Sequence, residues 1–216
     1  MKKTLIQVRN LAIGYKGRQL FTDISFDICE GDVILLCGAN GSGKTTLLKA
    51  LAGVVSDVET AMIPTRIPKV KGFTLNEFIR LTCFDTPEAK PDDALGKLSL
   101  SHLSNRDIST LSDGEFQKAG LVSALVRNAS VILLDEPTAF LDAENRISVL
   151  ATLREICDRK GIAVIFSTHD LHDGLKFCTK VLAFGSDGRF LCSGNTSESM
   201  SHTVSTIFSS SRSTIP

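Results

Sequence analysis

Three short stretches of this chain carry side chains suited to holding and splitting a phosphate anhydride. Residues 38–45 read GANGSGKT, an instance of G-x-x-x-x-G-K-[ST]. Its glycines let the main chain curl so that successive N–H groups point inward at a β-phosphate. The cradle runs Gly38, Ala39, Asn40, Gly41, Ser42, Gly43, Lys44, Thr45 and Thr46. Lys44 supplies a mobile charge for the β- and γ-phosphates, and Thr45 presents a hydroxyl to Mg²⁺. The helix opening there adds its positive end. Such a pattern arises by chance in about 1 in 100 chains of this length. Its place between an apolar run and a helical pattern lowers those odds further.

The second stretch is VILLDE, residues 131–136. An aspartate at the end of a buried strand beside the cradle can hold Mg²⁺, which fits Asp135. Glu136 follows and is suited to polarise an attacking water as general base. The third stretch is IAVIFSTHD, which sets His169 just after an apolar run. Ligands of open α/β sheets sit beyond the carboxyl ends of the strands, so His169 shares an edge with Lys44 and Asp135. It is there to donate to a γ-phosphate, or it caps the helical pattern DLHDGLKF that follows. His102 and His172 lack such context and read as surface residues.

Residues 111–115, LSDGE, open the helical pattern DGEFQKAGLVSALVRN (113–128). Helix N-termini attract anions, yet this one brings two acids. Ser112 followed three residues later by Glu115 is a capping box, and Asp113 in the first turn suits the helix dipole.

The elements that must position these groups follow from periodicity. Residues 4–9, 24–28 and 32–37 read as strands; DISFDI alternates, whereas VILLC is a continuous apolar run. VILLD and IAVIFS are two further buried-strand runs, with the helical pattern ENRISVLATLREICDRK (144–160) between them. That order predicts a parallel sheet in an α/β core. The middle of the chain holds short helical patterns between turn signals and predicts a helical subdomain, about 66–128, inserted into a single domain of residues 1–200. KVLAFGSDGRFLCSG reads as a hairpin around Asp187-Gly188, and the Ser/Thr-rich stretch 201–216 as a loosely ordered tail.

Composition sets the outer bounds. The 216 residues are 43% hydrophobic and 22% charged, as in ordinary globular proteins. Lys plus Arg and Asp plus Glu both number 24, so no basic excess or stripe points to nucleic acid. Six cysteines form no C-x-x-C pair and read as buried free thiols. MKKTLIQVRN lacks the apolar core of a signal peptide, and no apolar run reaches 18 residues, so a cytoplasmic protein is expected.

Together these motifs resemble one family, the ATP-binding subunits of ATP-binding cassette (ABC) transporters. GANGSGKTT is similar to its Walker A motif, LSDGE to its signature, VILLDEPTAFLD to its Walker B motif and D-loop, and STHD to its switch histidine. LAIGYKGRQLFTDISFDI is similar to its opening antiparallel strands. The resemblance runs from about residue 4 to 194. It implies a P-loop NTPase fold with a parallel core sheet, an N-terminal antiparallel β subdomain and the inserted helical subdomain. It also implies a homodimer that closes head to tail on two ATP molecules, with Mg²⁺, and that drives an integral membrane permease from the inner face of the cell membrane.

By that resemblance Tyr15 stacks adenine, Lys44 grips phosphate, and Thr45 with Asp135 serves Mg²⁺. Glu136 is the base and His169 senses the γ-phosphate. Ser112, Asp113, Gly114 and Glu115 face the partner chain's ATP, Gly114 being kept where a side chain would crowd the phosphate, and Asp142 reaches across the dimer. Three positions depart from the pattern. Asp113 replaces a glycine and Glu115 a glutamine of the signature, and Thr65 in AMIPTRIP stands where the family has its Q-loop glutamine. Only 20 residues lie between Lys44 and Thr65, which implies a trimmed antiparallel subdomain. The apolar residues Phe73, Leu75, Phe78 and Ile79 are candidates for the permease-docking face. The combination of motifs looks most like importers of iron chelate, haem or cobalamin, working with a substrate-binding protein. The alternatives are an exporter ATPase such as one for haem, a degenerate module with little turnover, or a soluble ABC ATPase; the last usually carries tandem cassettes or long coiled coils, absent here.

Overall fold

A computed structural model of the chain describes residues 2–15, 17–54, 58–83, 91–185, 189–194 and 196–209. Two sheets form. The first is an antiparallel pair, β1 (Thr4–Tyr15) and β2 (Arg18–Cys29), with Ile6 opposite Ile28, Val8 opposite Phe26 and Tyr15 opposite Arg18. Both strands run further than the alternation in the sequence predicts. Register shifts between Val8 and Leu11 and again before Ile13 break the period of two. Asn10 and Asp23 sit near those breaks with φ of +49° and +58°, a conformation that Asn and Asp tolerate better than most residues.

The second sheet has six strands in the order β4-β5-β6-β3-β7-β8. These are β3 (Val33–Gly38), β4 (Thr60–Ile63), β5 (Val131–Leu134), β6 (Ala163–Ser167), β7 (Lys180–Phe184) and β8 (Phe190–Cys192). All neighbours pair parallel except β7 with β8. The three continuous apolar runs are its central strands, as expected for strands buried on both faces. Within β3, Val33, Leu35 and Cys37 join one core, while Ile34 and Leu36 join the other. On the second face lie α1 (Lys44–Val54), through Leu47, Leu48 and Leu51, and the β1–β2 pair. On the first face lie α5 (Ala143–Lys160), α6 (Leu171–Phe177) and the helical segment α2 (Leu75–Thr82), α3 (Asp92–Lys97) and α4 (Asp113–Val126). That segment falls between β4 and β5, so the chain leaves the sheet edge, builds the helices and returns beside the strand it left.

The C-terminal stretch departs from expectation. Residues 201–209, read as part of a loose tail, belong to α7 (Ser197–Ser209), which packs on β7. Met200, Thr203 and Ile207 recur at helical spacing and are buried. The Ser/Thr-rich composition hides that stripe, and Thr203 and Thr206 turn their hydroxyls back on the carbonyls of Ser199 and His202. Residues 210–216 and the turn at Asp187-Gly188 lie outside the described residues, although the antiparallel arms β7 and β8 are present. All six cysteines are free; Cys37, Cys83, Cys157 and Cys178 are buried, but Cys29 is half-buried and Cys192 exposed. Burial pushes the thiols of Cys37, Cys157 and Cys178 up to about 12, so they are inert packing groups.

Candidate active site

The carboxyl ends of β3, β5 and β6 meet at a pocket of about 430 Å³. It is lined by residues 40–46, by Tyr15 and Leu20 at one side, and by Thr65, Asp135, Glu136 and His169 at the other. β3 runs straight into the curl. A side chain at Gly38 would come within 2.6 Å of Ser42 Oγ and 2.9 Å of the Phe184 carbonyl, so the turn closes only around glycine. Lys44 is buried and folds back over the curl, donating to the carbonyls of Gly38 (2.9 Å) and Ala39 (3.1 Å). Burial lowers its pKa, and Glu136 and Asp135 pull it back up.

A short network ties three strand ends together. Thr45 Oγ1 donates to Asp135 Oδ2 at 2.8 Å, and Ser167 Oγ donates to Asp135 Oδ1 at 2.8 Å. The N–H of Glu136 then donates to Ser167 Oγ at 2.9 Å. Ser167 is thus a site residue that motif reading missed; its only signal was a polar residue closing the apolar run IAVIF. Gln117, buried on α4, is another, with Nε2 3.5 Å from the Glu136 carbonyl.

Glu136 has φ of +52°, a strained setting for a residue with a Cβ, and this aims its carboxylate into the pocket. Burial pushes its pKa above the ordinary glutamate range, against the pull of His169 and Lys44. Its Oε1 lies 3.1 Å from His169 Nε2, yet it receives no well-aligned hydrogen bond, and neither does the buried Ser42 Oγ. Buried oxygens without partners are uncommon and concentrate at functional sites. His169 itself is exposed. It is not the cap of α6, because the Asp170 side chain accepts from the Asp173 N–H in that role. A raised-pKa carboxylate, a histidine and an ammonium around a curl of N–H donors can activate water against a polyphosphate.

The LSDGE stretch lies elsewhere. Ser112 caps α4: its Oγ accepts from the Glu115 N–H (3.2 Å), and its own N–H donates to Glu115 Oε2 (2.7 Å). Those bonds to Ser112 hold the Glu115 carboxyl below its usual range. Asp113 turns aside, its Oδ1 accepting from Lys69 Nζ at 2.7 Å. Packing within the chain also restricts position 114: a Cβ there would meet the Phe140 carbonyl at 3.0 Å and Leu141 at 3.1 Å. Asp142 caps α5, accepting from the N–H (2.8 Å) and side-chain amide of Asn145. Ser112, Asp113, Gly114, Glu115 and Asp142 share a second pocket of about 570 Å³, which His102 and Lys118 also line. It has no residue in common with the first. The fold therefore gathers the sequence-derived residues into two groups.

The profile of the ABC transporter family matches residues 21–139. The chain belongs to this family. An aliphatic sulfonates import ATP-binding protein of Streptomyces avermitilis is 35% identical over 188 residues, 82% of this chain and 72% of that one. A cobalamin import ATP-binding protein of Halobacterium salinarum is 30% identical over 213 residues, 85% of this chain and 53% of that one. Among solved structures, a metal-chelate type ABC transporter in an inward-facing conformation superposes with a TM-score of 0.81 at 25% identity, over 96% of this chain and 89% of that one. This ABC subunit is accordingly an ATPase with the P-loop fold, and ATP is its nucleotide. Among the described residues no helix is long and apolar enough to cross a membrane.

The helical segment of this ABC ATPase sorts the four docking candidates. Leu75 and Ile79 are core residues, and the Phe78 ring packs 5.2 Å from that of Phe116. Phe73 alone of the four is exposed, together with Val70 and Leu81, which periodicity did not single out.

Proposed function

We propose that the chain is the ATP-hydrolysing half of a homodimeric importer motor, docked on a membrane permease and serving a metal chelate, haem or cobalamin as cargo. The observation that carries this reading is the division of the motifs between two pockets. Neither pocket alone holds both the phosphate curl and the LSDGE face, and two copies arranged head to tail would supply each nucleotide with one of each. Lys44 and the N–H groups of residues 39–46 would grip the phosphates, and Tyr15 at the mouth would lie against adenine. Ser112 and Gly114 of the second copy would close over the γ-phosphate, and Asp142 would contact that copy.

Thr45 and Asp135 offer a hydroxyl and a carboxylate 2.8 Å apart at a strand end, hard oxygen donors of the kind Mg²⁺ takes. The metal would neutralise phosphate charge. Glu136 would take the proton of the attacking water, with His169 beside it orienting the γ-phosphate. Cargo rests on the likeness to the metal-chelate transporter and the cobalamin relative, set against the sulfonate relative.

The test is size-exclusion chromatography of the Glu136→Gln variant with and without ATP, alongside phosphate release by the parent chain. An ATP-dependent dimer and a parent rate well above that of the variant support the reading. Equal rates would favour a module that closes without turnover. For cargo, cells lacking the chain should lose uptake of a ferric chelate, haem or cobalamin; normal uptake of all three would exclude this assignment.

A further inference from the structure

Two departures from the family pattern, Thr65 and Asp113, line one cavity, and a lysine of the first residue's segment binds the second. Lys69, four residues after Thr65, donates from Nζ to the Leu111 carbonyl at 2.7 Å and to Asp113 Oδ1 at 2.7 Å. Those are the two residues on either side of Ser112. The ammonium also lies 5.6 Å from the centre of the Phe116 ring, and the side chain is only 26% exposed. The same segment meets α4 again one turn and more along, where Ile67 packs directly on Gly120. At its other end Thr65 lines the nucleotide pocket and a neighbouring cavity of about 300 Å³ walled by Ile67, Lys69, Asp113, Phe116 and Gln117. Residues 65–69 are thus a strap running from the nucleotide pocket to the first turn of α4.

Lys69 and Asp113 account for each other. A cation at a helix N-terminus opposes the macrodipole, so an ammonium beside Leu111 needs an anion to offset it. The glycine usual at position 113 has none. Asp113 supplies it, and Lys69 in turn holds that carboxyl below its usual range. An ion pair with so exposed a carboxylate contributes little to stability; what the two short hydrogen bonds of this ammonium fix is the placement of the residues on either side of Ser112.

We propose that Lys69 is a positioning residue for Ser112, transmitting the placement of the Thr65 segment to the LSDGE face. It rests on the reading of Ser112 as the face that closes on a second copy's ATP. Lys69 touches no nucleotide itself.

The test is a cycle of Lys69→Met, Asp113→Asn and the double variant, with Lys69→Arg as conservative rescue and Ser112→Ala as reference. ATP turnover, binding of a fluorescent ATP analogue and melting temperature are read for each. Lys69→Met keeps an unbranched side chain but removes the ammonium, and should lower kcat about fivefold, with analogue binding and melting unchanged. Asp113→Asn should match it, the double variant should be no worse than either, and Lys69→Arg should recover most of the rate. Unchanged kcat in Lys69→Met, or losses that multiply in the double variant, would overturn the inference. So would a loss of rate accompanied by a matching fall in melting temperature. If Ser112→Ala itself turns over normally, the two-copy reading falls instead; if it is slow while Lys69→Met is not, only this inference falls.

Discussion

Two helix N-termini face two pockets, and they are built in opposite ways. α1 begins at Lys44 with no acid in its first turn; α4 begins at Asp113 with Asp113 and Glu115 both there. At α1 no acid competes for the N–H groups of the curl, of which, among the described residues, only that of Ser42 turns back, on the Ala39 carbonyl at 3.1 Å, and the one cation rests on the carbonyls of Gly38 and Ala39. At α4 the capping box already occupies the N–H groups of Ser112 and Glu115. The lesson is a division of labour. The first terminus can supply affinity for phosphate, and the second, locally satisfied, is fit for closure rather than capture.

That contrast is open to direct attack. The largest effect belongs to Lys44→Ala, which should lower ATP turnover by about 10²-fold or more and weaken nucleotide binding in a fluorescence titration. Retention of both would leave the P-loop pocket without a role. Glu136→Gln should lower turnover by about 10²–10⁴-fold while binding persists, as expected for loss of a general base. In the parent chain the acid limb of the rate profile should sit above the ordinary glutamate range, because Glu136 must lose its proton and burial has raised its pKa.

A finer comparison comes from a second capping box. Thr74 and Glu77 cap α2 with the same reciprocal bonds as Ser112 and Glu115, on a helix that lines neither pocket. Thr74→Ala and Ser112→Ala should each cost about 1 kcal/mol of stability. Only Ser112→Ala should slow hydrolysis, measured at a temperature where both are folded. Equal rates in the two variants would reduce LSDGE to a capped helix.

The smallest effect concerns stability and pH. A carboxyl whose folded pKa is raised takes up protons on folding, so its contribution is present below its unfolded pKa and is lost as pH rises through the folded value. Glu136→Gln should therefore melt higher than the parent at neutral pH, by about 2–4 °C per kcal/mol relieved. The gain should shrink as pH falls through the raised folded value toward the ordinary glutamate range and vanish below it; a gain independent of pH would point to strain at φ +52° instead.

The sequence by itself determined the phosphate curl, the acids after β5, the histidine after β6 and the capping box at LSDGE. In each, the chemistry lies within a few consecutive residues, and local geometry follows from strand, turn and cap preferences. Three apolar runs likewise announced the central strands, since burial on both faces leaves no room for alternation. Bulges near Asn10 and Asp23 concealed the length of β1 and β2, and hydroxyl-rich composition concealed α7. Only the tertiary structure decided that Ser167 bridges Asp135 and Glu136, that Gly114 yields to Phe140, and that Lys69 brackets Ser112. Those partners lie in separate segments of the chain, brought together by packing on a common sheet edge and helix, and no local propensity encodes such a meeting. The separation of the motifs into two pockets is of the same kind: each motif is written in a few letters, but which of them face one another is settled by the order of strands for the first pocket and by the packing of α4 against residues 140–145 for the second.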